Sequence, residues 1–188
     1  MAGIGNASKY GILVREGDAL ERLAQVKRIA FDKTGTLTLG KPSVARVRDA
    51  DAAQNKKALW ALAASAELRS EHPLGKAIVD GYRQKYGALP RQPEEFRMLA
   101  GRGVSARVGG ENILAGSETL MAEQNIPLPR ELLRTAEQAK GEGCTVIFLA
   151  KEGVSAGFLA LSDTLRPDAA QTVAEIHETL SLIHISEP

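Results

Sequence analysis

The sequence predicts an α/β protein in which two end segments build one sheet and an inserted α+β module on an antiparallel sheet lies between them. Three observations carry this. Residues 26–31 (VKRIAF) are β-compatible and run directly into Asp32 and a Thr-Gly-Thr turn. That is the layout of a site at the carboxyl end of a strand in an open α/β sheet. Near the other end an apolar strand is followed by a helix opened by Pro167. Between the two, the hydrophobic period alternates between helical and strand-like, as a separate module of helices and hairpins requires.

Taken in order, residues 18–24 (DALERLA) read as a short helix with Asp18 at its N-cap. The strand at 26–31 and the turn at 32–36 follow. From Asp51 to about Ser70 the pattern is helical, with Leu59, Leu62, Ala63 and Ala66 on one face. After a break at Ser70-Glu71-His72, Pro73 opens a second helix carrying Leu74, Ile78 and Tyr82. Residues 87–93 read as loop. The period then drops to two: residues 104–108, the turn Gly109-Gly110 and residues 112–115 form a hairpin. Short helices are expected at 118–124, capped by Ser117, and at 129–140. A second hairpin pairs 145–150 with 154–161 across Lys151-Glu152-Gly153. The last helix shows the stripe Ala169, Val173, Ile176 and Leu180.

Composition narrows the functional classes. The 188 residues are 44% hydrophobic and 25% charged, an ordinary globular balance. A formal net charge of +1 gives no footprint for a nucleic-acid partner. The single cysteine, Cys144, excludes an internal disulfide framework and suits a reducing compartment. The apolar run 146–150 is far below the roughly 20 residues of a membrane helix, and the first residues lack a secretory pattern.

Asp32 is the candidate chemical centre. A carboxylate can accept a phosphoryl group and divide a hard hydrolysis into two easier steps. Lys33 brings positive charge beside it, and Thr34, Gly35 and Thr36 offer backbone and hydroxyl donors to phosphoryl oxygens. A bare D-x-T-G is equally an ordinary strand-to-loop turn. In "AELRSEHPLGKAI", His72 stands where a helix begins and can stack on a purine; a capping histidine is the plainer alternative. Gly101 and Gly103, before a strand, would admit a ring or phosphate closely.

The whole run DKTGTLT at 32–38 resembles the phosphorylation signature of the P-type ATPases. His72-Pro73 followed by Gly101-x-Gly103 resembles the nucleotide-binding domain of their heavy-metal branch. The resemblance covers about residues 1–180. It implies a partial phosphorylation domain of the HAD-like, Rossmann-type fold at 25–42 and 159–180, a nucleotide-binding insert at 43–158 and a stalk at 1–24. Asp32 would form the aspartyl-phosphate. Lys33, Thr34, Gly35, Asp163, Thr164 and Arg166 would position phosphate. Glu67 and His72 would hold adenine, and Gly101 and Gly103 would line the nucleotide.

ATP and Mg²⁺ are the implied cofactors, with Asp32 and Thr34 as the share of the Mg²⁺ site present here. Thr34 replaces the second acid of related phosphatases and cannot transfer protons at neutral pH, so a phosphoenzyme would persist. That argues against a soluble phosphatase with a large cap, one alternative; a nucleotide-binding module without chemistry is another. The Thr-Gly-Asp and Gly-Asp-Gly segments expected later are absent, and residues 181–188 read as a non-native tail. The chain alone is expected to bind nucleotide but not to pump. The implied partners are a heavy-metal cation held by membrane helices outside this chain, and actuator and membrane domains of the same ATPase at the cytoplasmic face. "LSDTLRPDA" at 161–169 leans toward the zinc, cadmium and lead group over copper.

Overall fold

The computed structural model describes residues 2–50, 55–179 and 182–186, without the side chains of 2–4, Ala7, Lys33, Thr34, Thr179 and 182–186. Two compact units result: Gly40–Thr164, and Met1–Leu39 with Leu165–Pro188. In chain order the elements are α1 (Ala2–Lys9), α2 (Ala19–Ala24), β1 (Arg28–Asp32), a π-type turn (Lys33–Leu37) and β2 (Thr38–Asp49). Next come α3 (Lys56–Ala66), α4 (Pro73–Tyr86), β3 (Glu95–Leu99), β4 (Gly103–Val108) and β5 (Glu111–Gly116). The chain continues through α5 (Glu118–Glu123), α6 (Arg130–Gly141), β6 (Thr145–Lys151), β7 (Val154–Leu165), α7 (Ala169–Thr179) and β8 (Leu182–Ser186).

The unit Gly40–Thr164 is built on a six-stranded sheet of order β2-β7-β6-β5-β4-β3. Consecutive strands from β3 to β7 pair antiparallel with one another. Their turns explain the hairpins. Gly109 and Gly110 have φ of 64° and 83°, and Glu152 and Gly153 have 48° and 76°. Two consecutive left-handed residues match the right-handed twist of the flanking strands. The Glu94 carboxylate secures the first turn by accepting from the Gly109 and Gly110 amides at 2.8 and 3.0 Å.

Alternation along the central strands sends side chains to two cores. On one face Leu149 and Leu159 join Val104, Ala106 and Ile113 beneath α3 and α4, which bury Trp60, Ala63, Ile78 and Tyr82. On the other, Phe148 and Phe158 stand opposite each other in the ladder, ring centroids 6.0 Å apart. Met121 from α5 and Leu132, Ala136 and Ala139 from α6 cover them. Caps follow local chemistry: Asn55 accepts from the Lys57 amide, Ser117 from Leu120, and Gly87 closes α4 in a left-handed conformation.

In the other unit β1 and β8 form a two-stranded parallel sheet, in register from Arg28↔Leu182 to Asp32↔Ser186. β8 thus comes from the segment read as a non-native tail.

Several expectations require correction. The boundaries at 43 and 158 fall inside two continuous strands, β2 and β7. Asp32 is the last residue of β1 rather than the first after it. β7 extends to Leu165, past 161, and the last helix starts at Ala169 rather than Pro167. β2 and β3 appear where no strand is expected. The start of the first long helix at Asp51, and Leu180 in the last helix, lie outside the described residues.

Candidate functional site

A cavity of about 310 Å³ opens within the unit Gly40–Thr164, and Glu67, His72, Gly101 and Gly103 all line it. Glu67 ends α3 as its C-cap residue and is only 5% exposed. Burial pushes its carboxyl above the ordinary carboxylate value, and a hydrogen bond from the Ser70 side chain partly counters this. The Ser70 hydroxyl oxygen also accepts from the His72 amide at 3.3 Å. One serine therefore links the buried acid to the histidine.

His72 is the N-cap of α4: its Nδ1 accepts from the Leu74 amide at 3.2 Å, with Pro73 in the first turn. That bond directs the ring's proton to Nε2. Capping and ligand stacking are compatible, because the cap uses one edge of the ring and leaves its faces. Gly75 is required behind this wall. A Cβ there would stand 2.5 Å from Glu67 Oε2 and 2.7 Å from Ser70 Oγ.

The opposite wall comes from the β3–β4 turn and the end of β5. Leu99 O accepts from the Arg102 amide at 2.9 Å, and Gly101 takes φ of 69° at the third turn position. Gly103 has φ of 149°, and a Cβ on it would lie 2.1 Å from the Ala115 carbonyl oxygen. A substitution there costs roughly 1–3 kcal/mol in backbone strain before the clash is counted. Gly116 is equally confined, its hypothetical Cβ 2.2 Å from Arg102 O. Ser117 lines the cavity and caps α5. A more open depression beside it shares Ser117 and Val146 and contains Lys140.

Asp32 belongs to the other unit, exposed at the end of β1. The π-type turn that follows has Gly35 at φ 79°, and its amide donates to Thr38 Oγ1 at 3.1 Å. Leu37 and Thr38 anchor the turn, both nearly fully buried. The side chains of Lys33 and Thr34 lie outside the described residues. The Arg166 amide donates to Leu37 O at 2.9 Å, and its side chain is exposed.

Asp163, at the end of β7, accepts from the Lys41 amide at 2.8 Å, a cross-strand link between β7 and β2. It precedes α7, which begins at Ala169; Thr164 beside it is exposed. Among the described residues no group of three or more His, Cys, Asp or Glu side chains could hold a metal ion. No described helix is long and apolar enough to cross a membrane.

Sequence reasoning missed Ser70, Gly75, Arg102 and Gly116 at the cavity. Ser70 sits inside the quoted "AELRSEHPLGKAI", and a glycine interrupting a helical pattern at 75 was the available signal for close packing.

A family model described as a haloacid dehalogenase-like hydrolase matches residues 26–182. Among curated proteins, a probable copper-exporting P-type ATPase V of Mycobacterium tuberculosis is 37% identical over 179 residues, which are 94% of this chain and 23% of that protein. A copper-exporting P-type ATPase of Vibrio cholerae is 39% identical over 176 residues, 94% and 19% of the two chains. The chain thus spans under a quarter of the length of these relatives. Among solved structures, a zinc-transporting PIB-type ATPase in the E2.Pi state superposes with TM-score 0.78 at 32% identity, over 99% of this chain and 29% of that one. The sequence leans toward zinc, cadmium and lead; the curated relatives are mainly named copper exporters, and the solved neighbour above is named a zinc transporter.

Proposed function

The chain belongs to the haloacid dehalogenase-like hydrolase family, and from that premise we propose that it is the ATP-binding and phosphorylation part of an ATP-driven heavy-metal cation exporter of the P-type. The observation that carries this reading is the convergence of Glu67, His72, Gly101 and Gly103 on one cavity. These residues lie up to 36 positions apart in the sequence, and the heavy-metal branch signature had singled them out together. The relatives named as copper and manganese exporters support the class of transporter; the ion itself is left open.

The chemistry assigned to the chain divides between its two units. The cavity takes the adenine: the buried Glu67 carboxyl offers hydrogen bonds to the base edge, His72 a ring to stack on, and the glycines a close wall. Asp32 is the nucleophile. A carboxylate oxygen attacks the terminal phosphorus of ATP, the new O–P bond forms as the bond to the bridging oxygen breaks, and ADP leaves with that electron pair. The neighbours of Gly35 in the turn offer backbone amides to the transferred group, while the Gly35 amide holds the turn through Thr38 Oγ1.

A hard divalent cation takes oxygen ligands, and Asp32 presents an exposed carboxylate at the strand end. Asp32 and Thr34 would thus hold part of a Mg²⁺ site, whose ion would neutralise charge on the phosphoryl oxygens. Lacking a proton-transfer group at Thr34, the chain leaves the acyl phosphate long-lived, as an exporter requires between conformational steps. The remaining machinery, including actuator and membrane domains with the metal ligands at the cytoplasmic face of a membrane, is assigned to the rest of the protein.

Titrating this chain with ATP tests the cavity. Saturable binding that weakens roughly tenfold in His72→Ala supports it, and unchanged affinity removes His72 from the site. In the intact protein given ATP, Mg²⁺ and metal ion, an acid-stable, hydroxylamine-labile phosphate label is expected, lost in Asp32→Asn. Binding without such a label would instead favour a nucleotide-binding module without chemistry.

A further inference from the structure

We propose that Arg102 is the residue that holds the phosphates of the bound nucleotide, exchanging its present partner, the Glu123 carboxylate, for phosphoryl oxygens. The assignment rests on the reading of the cavity as a nucleotide site.

A nucleotide has two ends with opposite needs. The base is neutral and gains from a dry, hydrogen-bonding wall; the phosphates carry several negative charges and need a cation with access to water. The cavity has the same polarity. Glu67 and Ser70 form a wall that is almost fully buried. An acidic group there repels phosphate whenever it is ionised. Arg102 is the only lysine or arginine among the described residues lining the cavity, and its side chain is 53% exposed.

The local backbone suits the role. Arg102 sits between Gly101 and Gly103, both with positive φ. Its backbone is fixed at both ends, the amide donating to Leu99 O at 2.9 Å and the carbonyl accepting from the Ser117 amide at 2.8 Å. The guanidinium is anchored through Nη1 to Glu123 on α5. Exposed ion pairs of this kind are weak. A phosphate offers an arginine more charge and a bidentate geometry. The backbone is therefore preset while the side chain is free to trade one anion for another.

Lys140 is the competing cation, in the adjoining depression that shares Ser117 and Val146 with the cavity. It is already held by two carboxylates, Glu118 at 2.9 Å and Glu137 at 2.6 Å. An anion arriving there must displace two partners rather than one.

The test measures binding of ATP and of adenosine to this chain and to three variants, Arg102→Gln, Arg102→Lys and Lys140→Gln. Arg102→Gln should weaken ATP about threefold to tenfold and leave adenosine unchanged. Arg102→Lys should recover part of the loss, and Lys140→Gln should match the unaltered chain. Parallel changes for both ligands in Arg102→Gln, no change for either, or a selective ATP loss in Lys140→Gln instead would overturn the assignment while the nucleotide site stands. Failure of the unaltered chain to bind ATP at all would remove the site, and this assignment with it.

Discussion

The unit Gly40–Thr164 and the unit that carries Asp32 differ in how much they bury. The first closes two apolar cores, one on each face of a six-stranded sheet. In the second, the described residues that are buried are Leu37, Thr38 and Ala169, α2 buries nothing, and its sheet has two strands. Tyr10, Leu13 and Leu23 stand 79%, 82% and 61% exposed. A binding cavity can be complete within a module that stabilises itself. A side chain such as Asp32 at the end of a strand needs neighbouring strands to hold it still, and a two-stranded sheet supplies few of them.

The largest expected contrast is in amide hydrogen exchange. Amides of β6 and β7 should exchange only through global opening of their unit, whereas β1 should exchange at least about a hundredfold faster through local opening. Equally slow exchange across β1 would break the comparison. Next in size is the response to truncation. Phe158→Ala removes a fully buried ring packed on Phe148 and should cost about 3–5 kcal/mol of unfolding free energy. Leu23→Ala should change stability by less than about 0.5 kcal/mol, both read by denaturant titration. A comparable loss at Leu23 would mean that the second unit has a core of its own.

The smallest effect is one of pH. Burial raises the Glu67 carboxyl above its unfolded value of 4.5. Its contribution to stability is thus fully present below that value and is lost as pH rises through the raised folded value. Glu67→Gln should abolish this decline and be at least as stable as the unaltered chain at pH 7, by thermal melts across pH. A decline of the same size in the variant would assign the pH dependence to another group.

Legibility in the sequence followed the same division. The hairpins were readable because Gly109-Gly110 and Glu152-Gly153 mark left-handed turns between alternating strands. β2 and β3 were not. β2 contains Gly40, Lys41 and Pro42 with three further charged residues, and β3 is five residues long with Glu95 and Arg97. Both are edge strands, half solvated, where the apolar period fades. The turn after Asp32 was legible as a glycine turn at 32–36, but its π-type form at Lys33–Leu37 was not, because it has no residue signature distinct from other glycine turns. At the cavity, Glu67, His72, Gly101 and Gly103 were legible in advance and Arg102 was not; Ser70, Gly75 and Gly116 were missed as well. Their roles are steric or relay roles that exist only once α3, α4, β4 and β5 are side by side.

The chain enters the six-stranded sheet on β2 and leaves it on β7, and these two strands are neighbours joined by the Lys41–Asp163 bond. Adjacent strands lie only about 5 Å apart. Residues 40–164 are therefore a portable cassette, able to be lifted from one host loop into another without stretching either end.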